Sequence, residues 1–371
     1  MKAQLAERLL AKVMGWSAQD VARERARLEA FARWKYDGYE QFAPGEHFAE
    51  RLARWLEQFH TPEERQTAYL FVKERLLFVS LGEIYHLIEM AFHDVVRPML
   101  LASVARSIGC PPWAVARAAN SAEYERRRKG LLVLGLSDGA RLDVFRRAAS
   151  PELSHEQIIA MYQVAERRAD EAVEHLRHRL SEGGLTGSRD ARFRTILLLD
   201  DFAGSGRSFI RREVDGSWKG KLPKFLGEVM EGPLATTTDR EALDVIVVHY
   251  LAGPKAIGEI PEKVQQMGLP TGISVSLRFV QRFPESVALF PGKDAQLDQL
   301  LEAYYDPEVE DEHTRIGGTD VRYGFAGCGL PLVLSQNTPN NAVGILWAET
   351  DSVRALFPRI SRHQAQSSEV V

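Results

Sequence analysis

Cysteine is scarce in this chain. Cys110 and Cys328 are the two present among 371 residues, far apart and without metal-ligand spacing. That excludes a disulfide framework and fits a reducing compartment. Long apolar runs are missing too, since none reaches the about 18–20 residues that a bilayer-spanning helix needs. The opening MKAQLAERLLAKVMGW spaces its apolar residues periodically, unlike a secretory leader, so a cytoplasmic location is expected. Positive charge is not in excess: 47 Lys and Arg against 51 Asp and Glu leave a net −4. No basic field recommends nucleic acid or an anionic membrane as partner. GxxxxGK followed by Ser or Thr is absent, which argues against a P-loop nucleotide hydrolase. No internal repeat is present. Glu83-Ile84-Tyr85-His86 is a single Glu-x-x-His, with His93 further along the same helical pattern. A four-helix di-metal site needs two such motifs and two more glutamates, so a satisfied buried histidine is the expected reading.

What remains is ordinary globular content, 45% hydrophobic and 26% charged residues, enough for a core of normal size. Length alone predicts two domains, or one with an extension. Residues 1–129 read as α-helical. AQDVARERARLEAFARWKY repeats apolar residues at spacings of three and four. Thr61, Pro62 and Glu64 supply the cap, the first-position proline and the first-turn acid of a helix. YLFVKERLLFVSLGEIYHLIEMAFHDVV reads as one long buried helix, and Arg126–Lys129 as a solvated helix end. After Gly130, strands alternate with helices. LLVLGL, TILLLD, DVIVVHYL and GISVSLRFV are the strand candidates. A long helix capped by Ser154 and another over Pro254–Met267 lie between them. The alternation predicts an α/β fold, a parallel sheet flanked by helices, over residues 130–362. YGFAGCGLPLVLSQNTPNNAVGILW is expected to add strands and loops to the sheet edge as a hood, and residues 363–371 to form a frayed tail.

The most specific stretch is TILLLDDFAGSGRS, Thr195–Ser208. A buried strand ending in Asp200 and Asp201 would place both carboxylates at the carboxyl edge of a parallel sheet, where such sheets take ligands. Two adjacent carboxylates stay ionised only if something positive or hydrogen-donating faces them, and vicinal sugar hydroxyls or a magnesium ion would serve. The loop Ala203, Gly204, Ser205, Gly206, Arg207 and Ser208 can aim backbone N–H groups at an anion, with SFIRR expected to start a helix behind it. Carboxylates for a sugar and a nest for its phosphate make a ribose-phosphate site. An ordinary strand and turn with capping aspartates is the plainer alternative. Ser137, Asp138, Gly139 and Arg141 follow the strand Leu131–Leu136. Their letters also fit a plain Asp-Gly turn. Asn337, Asn340 and Asn341 offer amide donors and acceptors to a base or a partner, or simply form a turn.

The stretch resembles the PRPP-binding motif of type I phosphoribosyltransferases: a hydrophobic strand, two acids, two apolar residues, then a small or hydroxyl loop. Asp200 and Asp201 match the acidic pair, and Ser205, Gly206 and Ser208 match the loop. Phe202, Ala203 and Gly204 depart from the letters of the salvage enzymes. SDGAR…FRR, LDDFAGSGRS and NTPNNAVGILW together resemble a divergent branch, the phosphoribosyltransferase-like proteins of bacterial conflict (antiphage) loci, retron-associated effectors included. The resemblance implies that PRPP or a related ribose phosphate binds with Mg2+. Asp200 and Asp201 would hold the ribose directly or through metal and water, Gly204–Ser208 the 5-phosphate, and Ser137–Arg141 the pyrophosphate. It implies a transferase in antiviral defence, with a protein partner from the same operon. The alternative is an inactive sensor or interaction subunit that binds a nucleotide-like ligand. Active relatives usually carry a mobile loop that closes over the sugar. None is recognisable between Ala140 and Arg194.

Overall fold

The computed structural model describes residues 3–184 and 191–360. The expected tail at 363–371 lies outside them. In chain order the elements are α1 (Ala3–Met14), α2 (Ala18–Trp34), α3 (Phe48–Glu57), α4 (Pro62–Glu74), β1 (Leu77–Val79), α5 (Leu81–Met90), α6 (Arg97–Ser107), α7 (Val115–Ala119) and α8 (Ala122–Lys129). They continue with β2 (Leu131–Gly135), α9 (Leu142–Ala148), β3 (Ile158–Ile159), α10 (Glu166–Glu182), β4 (Thr195–Ala203), β5 (Arg211–Arg212), β6 (Trp218–Lys219) and α11 (Lys221–Met230). The last are β7 (Leu243–Ala252), α12 (Pro254–Met267), β8 (Ile273–Arg282), α13 (Ala295–Ala303) and β9 (Leu332–Leu334). The chain forms two compact units, one of Tyr85–Phe283 and one of the segments on either side of it.

The unit Tyr85–Phe283 carries a five-stranded sheet in the order β3-β2-β4-β7-β8, every pairing parallel. The strands run as near-continuous Leu, Ile and Val because helices cover both faces of such a sheet. Ile196, Leu198, Val245 and Val247 share one core with Ala169, Val173, Leu176 and Leu180 of α10 and with Phe225 and Val229 of α11. The spacing of the α10 residues puts them on a single stripe of that helix. β2 and β4 lie side by side, with Gly135 opposite Leu199, and Asp200 stands opposite His249 of β7. The carboxyl ends of these three strands therefore meet at one edge.

The other unit joins α1–α4 to the chain after Phe283. Its core gathers Tyr36, Phe48, Trp55 and Phe59 with Trp347, Leu356 and Phe357. β1 pairs in parallel with β9, Leu77 opposite Leu332.

Four expectations are corrected. The first is the division at Gly130: α6–α8 fall in the sheet unit, the C-terminal segment falls in the same unit as the N-terminal helices, and its β9 pairs with β1 and is not a strand of the five-stranded sheet. Its aromatic residues find their burial in that second core. Secondly, the long apolar helix is interrupted. Leu77–Val79 is drawn into the β1–β9 pair, and Ser80, bonded to Glu83 through both its N–H and its hydroxyl, opens a new helix. Thirdly, Ser154 caps one short turn at His155–Gln157, and the long helix begins at Glu166. Finally, SFIRR starts no helix. Gly206 O accepts from both Phe209 N and Ile210 N, and the chain then enters the β5–β6 hairpin across Asp215-Gly216. The 14-residue α12, by contrast, runs Pro254–Met267 as expected.

Candidate functional site

Two loops leave adjacent strand ends. The first, after β2, is held by side chains. Ser137 Oγ donates to Asp200 Oδ1 at 2.5 Å, and Tyr250 Oη donates to Ala140 O at 2.7 Å. Arg141 takes a left-handed backbone, φ 45°, which a non-glycine residue adopts at a cost of about 1 kcal/mol. Its guanidinium donates to Tyr85 Oη at 3.1 Å, lies over the Tyr85 ring, and sits 3.4 Å from Asp143. Gly139 presses on Asp201: a Cβ there would lie 2.1 Å from Asp201 Oδ2. Only glycine permits so close an approach of backbone to carboxylate.

The second loop, after β4, is held by backbone. Gly253 N donates to Ala203 O and Ala256 N to Gly204 O, which pins the loop to the start of α12. Gly206 has φ 74°, and a Cβ on it would meet Ile260 Cγ1 at 2.5 Å. Ser205 is buried, its Oγ accepting from Arg207 N at 3.3 Å, whereas Ser208 is exposed. Among the described residues no acceptor takes the N–H of Ser205, Gly206 or Ser208. Such a run of amides in a turn is suited to an anion.

The two aspartates are not equivalent, and this corrects the placing of both at the mouth. Alternation along β4 sends them to opposite faces. Asp200 is 2% exposed, its Oδ2 2.6 Å from Lys221 Nζ and 3.9 Å from His249 Nδ1. Asp201 is half-buried and accepts from Phe202 N at 2.8 Å. Burial is what raises the Tyr250 hydroxyl well above the ordinary tyrosine range, with Asp201 and Asp200 adding to it. His249 lies between the rings of Phe209 and Phe279. Burial pushes it down to about 4, against the pull of Asp200. Among the described residues neither of its ring nitrogens has a hydrogen-bond partner.

Lys221, His249, Tyr250 and Tyr85 escaped sequence reasoning. His249 alone had a local signal, a titratable residue inside the apolar run DVIVVHYL. Asn337, Asn340 and Asn341 belong to the other unit. The Asn337 amide bonds Ile360 in both directions, and Asn341 donates to Phe325 O and faces Cys328. Phe325 N donates to the main-chain carbonyl of Asn340. These are the bonds of a turn. His93 Nε2 sits 3.1 Å from Ala148 O, and Glu83 pairs with Lys35. Arg127 and Lys129 are spent on acids of their own helix.

No three His, Cys, Asp or Glu cluster as a metal site among the described residues. Magnesium is commonly held by substrate phosphates, water and one or two carboxylates, and Asp201 fits that part. Asp200, tied to Ser137 and Lys221, does not.

A parallel sheet flanked by helices, with two loops side by side at its carboxyl edge, defines the class: an α/β protein whose loops stand where such sheets take ligands. The PRTase-CE family model matches residues 52–359, and the chain belongs to that phosphoribosyltransferase-like family. No curated protein and no solved structure matched the chain. No helix among the described residues is long and apolar enough to cross a membrane.

Proposed function

We propose that the crevice binds PRPP or a related ribose phosphate with Mg2+, and that the protein is a transferase of the phosphoribosyl type. The observation that carries this is the meeting of the two loops over Asp201, whose carboxylate lies directly against Gly139. The amides of Ser205, Gly206 and Ser208 would hold the 5-phosphate, and the exposed Ser208 hydroxyl adds a donor. Asp201 would accept from the ribose hydroxyls. The Ser137–Arg141 loop would receive the diphosphate, with Arg141 set over Tyr85 as its cation. Mg2+ supplies charge neutralisation at that diphosphate. Departure of the diphosphate builds positive charge on the sugar, which a fixed carboxylate at Asp201 stabilises without reorganising.

Asp201→Ala tests the site. Binding of PRPP with Mg2+ by titration calorimetry is expected to fall about ten- to a hundredfold, the order of a lost charged contact, with the melting temperature nearly unchanged. Full binding and full pyrophosphate release in that variant would sink the assignment.

One observation favours a second reading, a ligand-binding subunit without turnover: Asp200 is buried and bonded to Ser137 and Lys221, whereas Asp201 is half-buried. PRPP binding without pyrophosphate release would select it. The resemblance of its motifs is the ground for placing the chain in antiphage defence with a partner from the same locus. Co-purification with the products of neighbouring genes tests that.

A further inference from the structure

Lys221 reaches the crevice because of the hairpin. Its own N–H donates to Ser208 O at 3.0 Å, and Leu222 N donates to Phe209 O at 3.0 Å, so the hairpin root is pinched shut. Gly220 makes the pinch, with φ 122° and a would-be Cβ 2.4 Å from Phe209 O. The ammonium thus delivered lies 2.6 Å from Asp200 Oδ2, while the other oxygen of that carboxylate takes the Ser137 hydroxyl at 2.5 Å. Three elements distant in sequence, the start of α11, the end of β4 and the loop after β2, are joined by one buried carboxylate.

We propose that Lys221 is a positioning residue for anion binding at Ser137–Arg141, acting through Asp200. This rests on the reading of that loop as the diphosphate site. A carboxylate almost wholly out of water needs a counter-charge. With Lys221 removed, Asp200 takes up a proton or turns away. Protonated, it accepts from Ser137 only as a neutral carboxyl, and turned away it does not accept at all, so the hold on the residue that opens the loop weakens either way. The 5-phosphate loop does not depend on this link, because backbone bonds to α12 hold it.

The test compares two probes by titration calorimetry on the full chain at one ionic strength: pyrophosphate with Mg2+, and ribose 5-phosphate. Lys221→Met is expected to weaken pyrophosphate about tenfold and to leave ribose 5-phosphate within twofold, with Lys221→Arg recovering most of the loss. Ser137→Ala removes the same link without stranding a charge, so it reports even if Lys221→Met fails to fold. Its effect and that of Lys221→Met should combine to less than their product. Equal weakening of both probes would make Lys221 a direct phosphate ligand and overturn the inference, as would independent, multiplying effects of the two substitutions. Unchanged pyrophosphate binding in a folded Lys221→Met also overturns it. Wild-type protein that binds neither probe overturns the reading of the site itself, a separate failure from the others.

Discussion

The loops after β2 and β4 stand side by side and are built in opposite ways. The first depends on side chains contributed from elsewhere: Asp200 for Ser137, Tyr250 for Ala140, Tyr85 for Arg141. The second depends on main-chain bonds to α12 and on Gly206 lying flat against Ile260. Held by side chains, a loop can be altered by one substitution at a distance. Held by backbone, a loop resists such changes but does not tolerate a methyl group where it packs. The first is where geometry can be tuned, and the second is closer to a fixed cradle.

Gly139→Ala should break the contrast most severely. The new methyl would occupy the place of the Asp201 carboxylate, 2.1 Å from Oδ2. Asp201 is short and its Oδ1 is held by Phe202 N, so it must leave its position. The expected result is loss of PRPP binding with little loss of stability, because the displaced group is partly solvated. Binding within threefold of wild type, measured by calorimetry, would show that Asp201 has no role at this spot.

Gly206→Ala is the matching substitution in the other loop, and its cost should fall on stability. The positive φ costs about 1 kcal/mol for a residue with a Cβ, and overlap with Ile260 adds about 1–3 kcal/mol of overpacking. A total of about 3 kcal/mol is expected from denaturant unfolding. Ile260→Val, by trimming the side chain it strikes, should recover part of that loss in a double-mutant cycle. No coupling between the two would mean that the loop moves instead of pressing on α12.

Much of this arrangement was legible in the sequence. β2, β4 and β7 were readable because each is an apolar run closed by Gly, Asp or Ser, and α12 because Pro254 and Gly268 mark its ends. The pairing of Asp200 with Lys221 was not. Nothing near either residue signals the other, and only the fold brings α11 to the end of β4. The hairpin was hidden for a different reason. Two-residue strands are too short to show alternation, and the Asp-Gly turn was the one clue. β1 was lost inside a helical pattern because its partner β9 lies far along the chain. That Asp200 is buried while Asp201 is half-buried was not readable either, because burial is a property of neighbours.

The smallest expected effect concerns acid, and it asks whether the side-chain network is the weaker of the two constructions. His249 faces Asp200 from β7, Asp200 also pairs with Lys221, and the imidazole stacks on Phe279 and meets Phe209 in a T-shaped contact. Its folded-state value is pushed down to about 4 by burial, against about 6.5 in an unfolded chain. As pH falls below about 6.5 the unfolded state takes the proton first, so stability declines. The decline steepens to at most about 1.4 kcal/mol per pH unit and stops near pH 4, where the folded protein also binds the proton. From pH 7 to pH 5 this one residue contributes a loss on the order of 2 kcal/mol. His249→Phe keeps an aromatic ring between Phe209 and Phe279 and removes the proton site. Its stability from urea unfolding should therefore fall less than that of the wild type over the same interval, by about that amount. Parallel curves for the two proteins would mean that His249 does not titrate between the folded and unfolded states, and that any acid sensitivity of the crevice arises elsewhere.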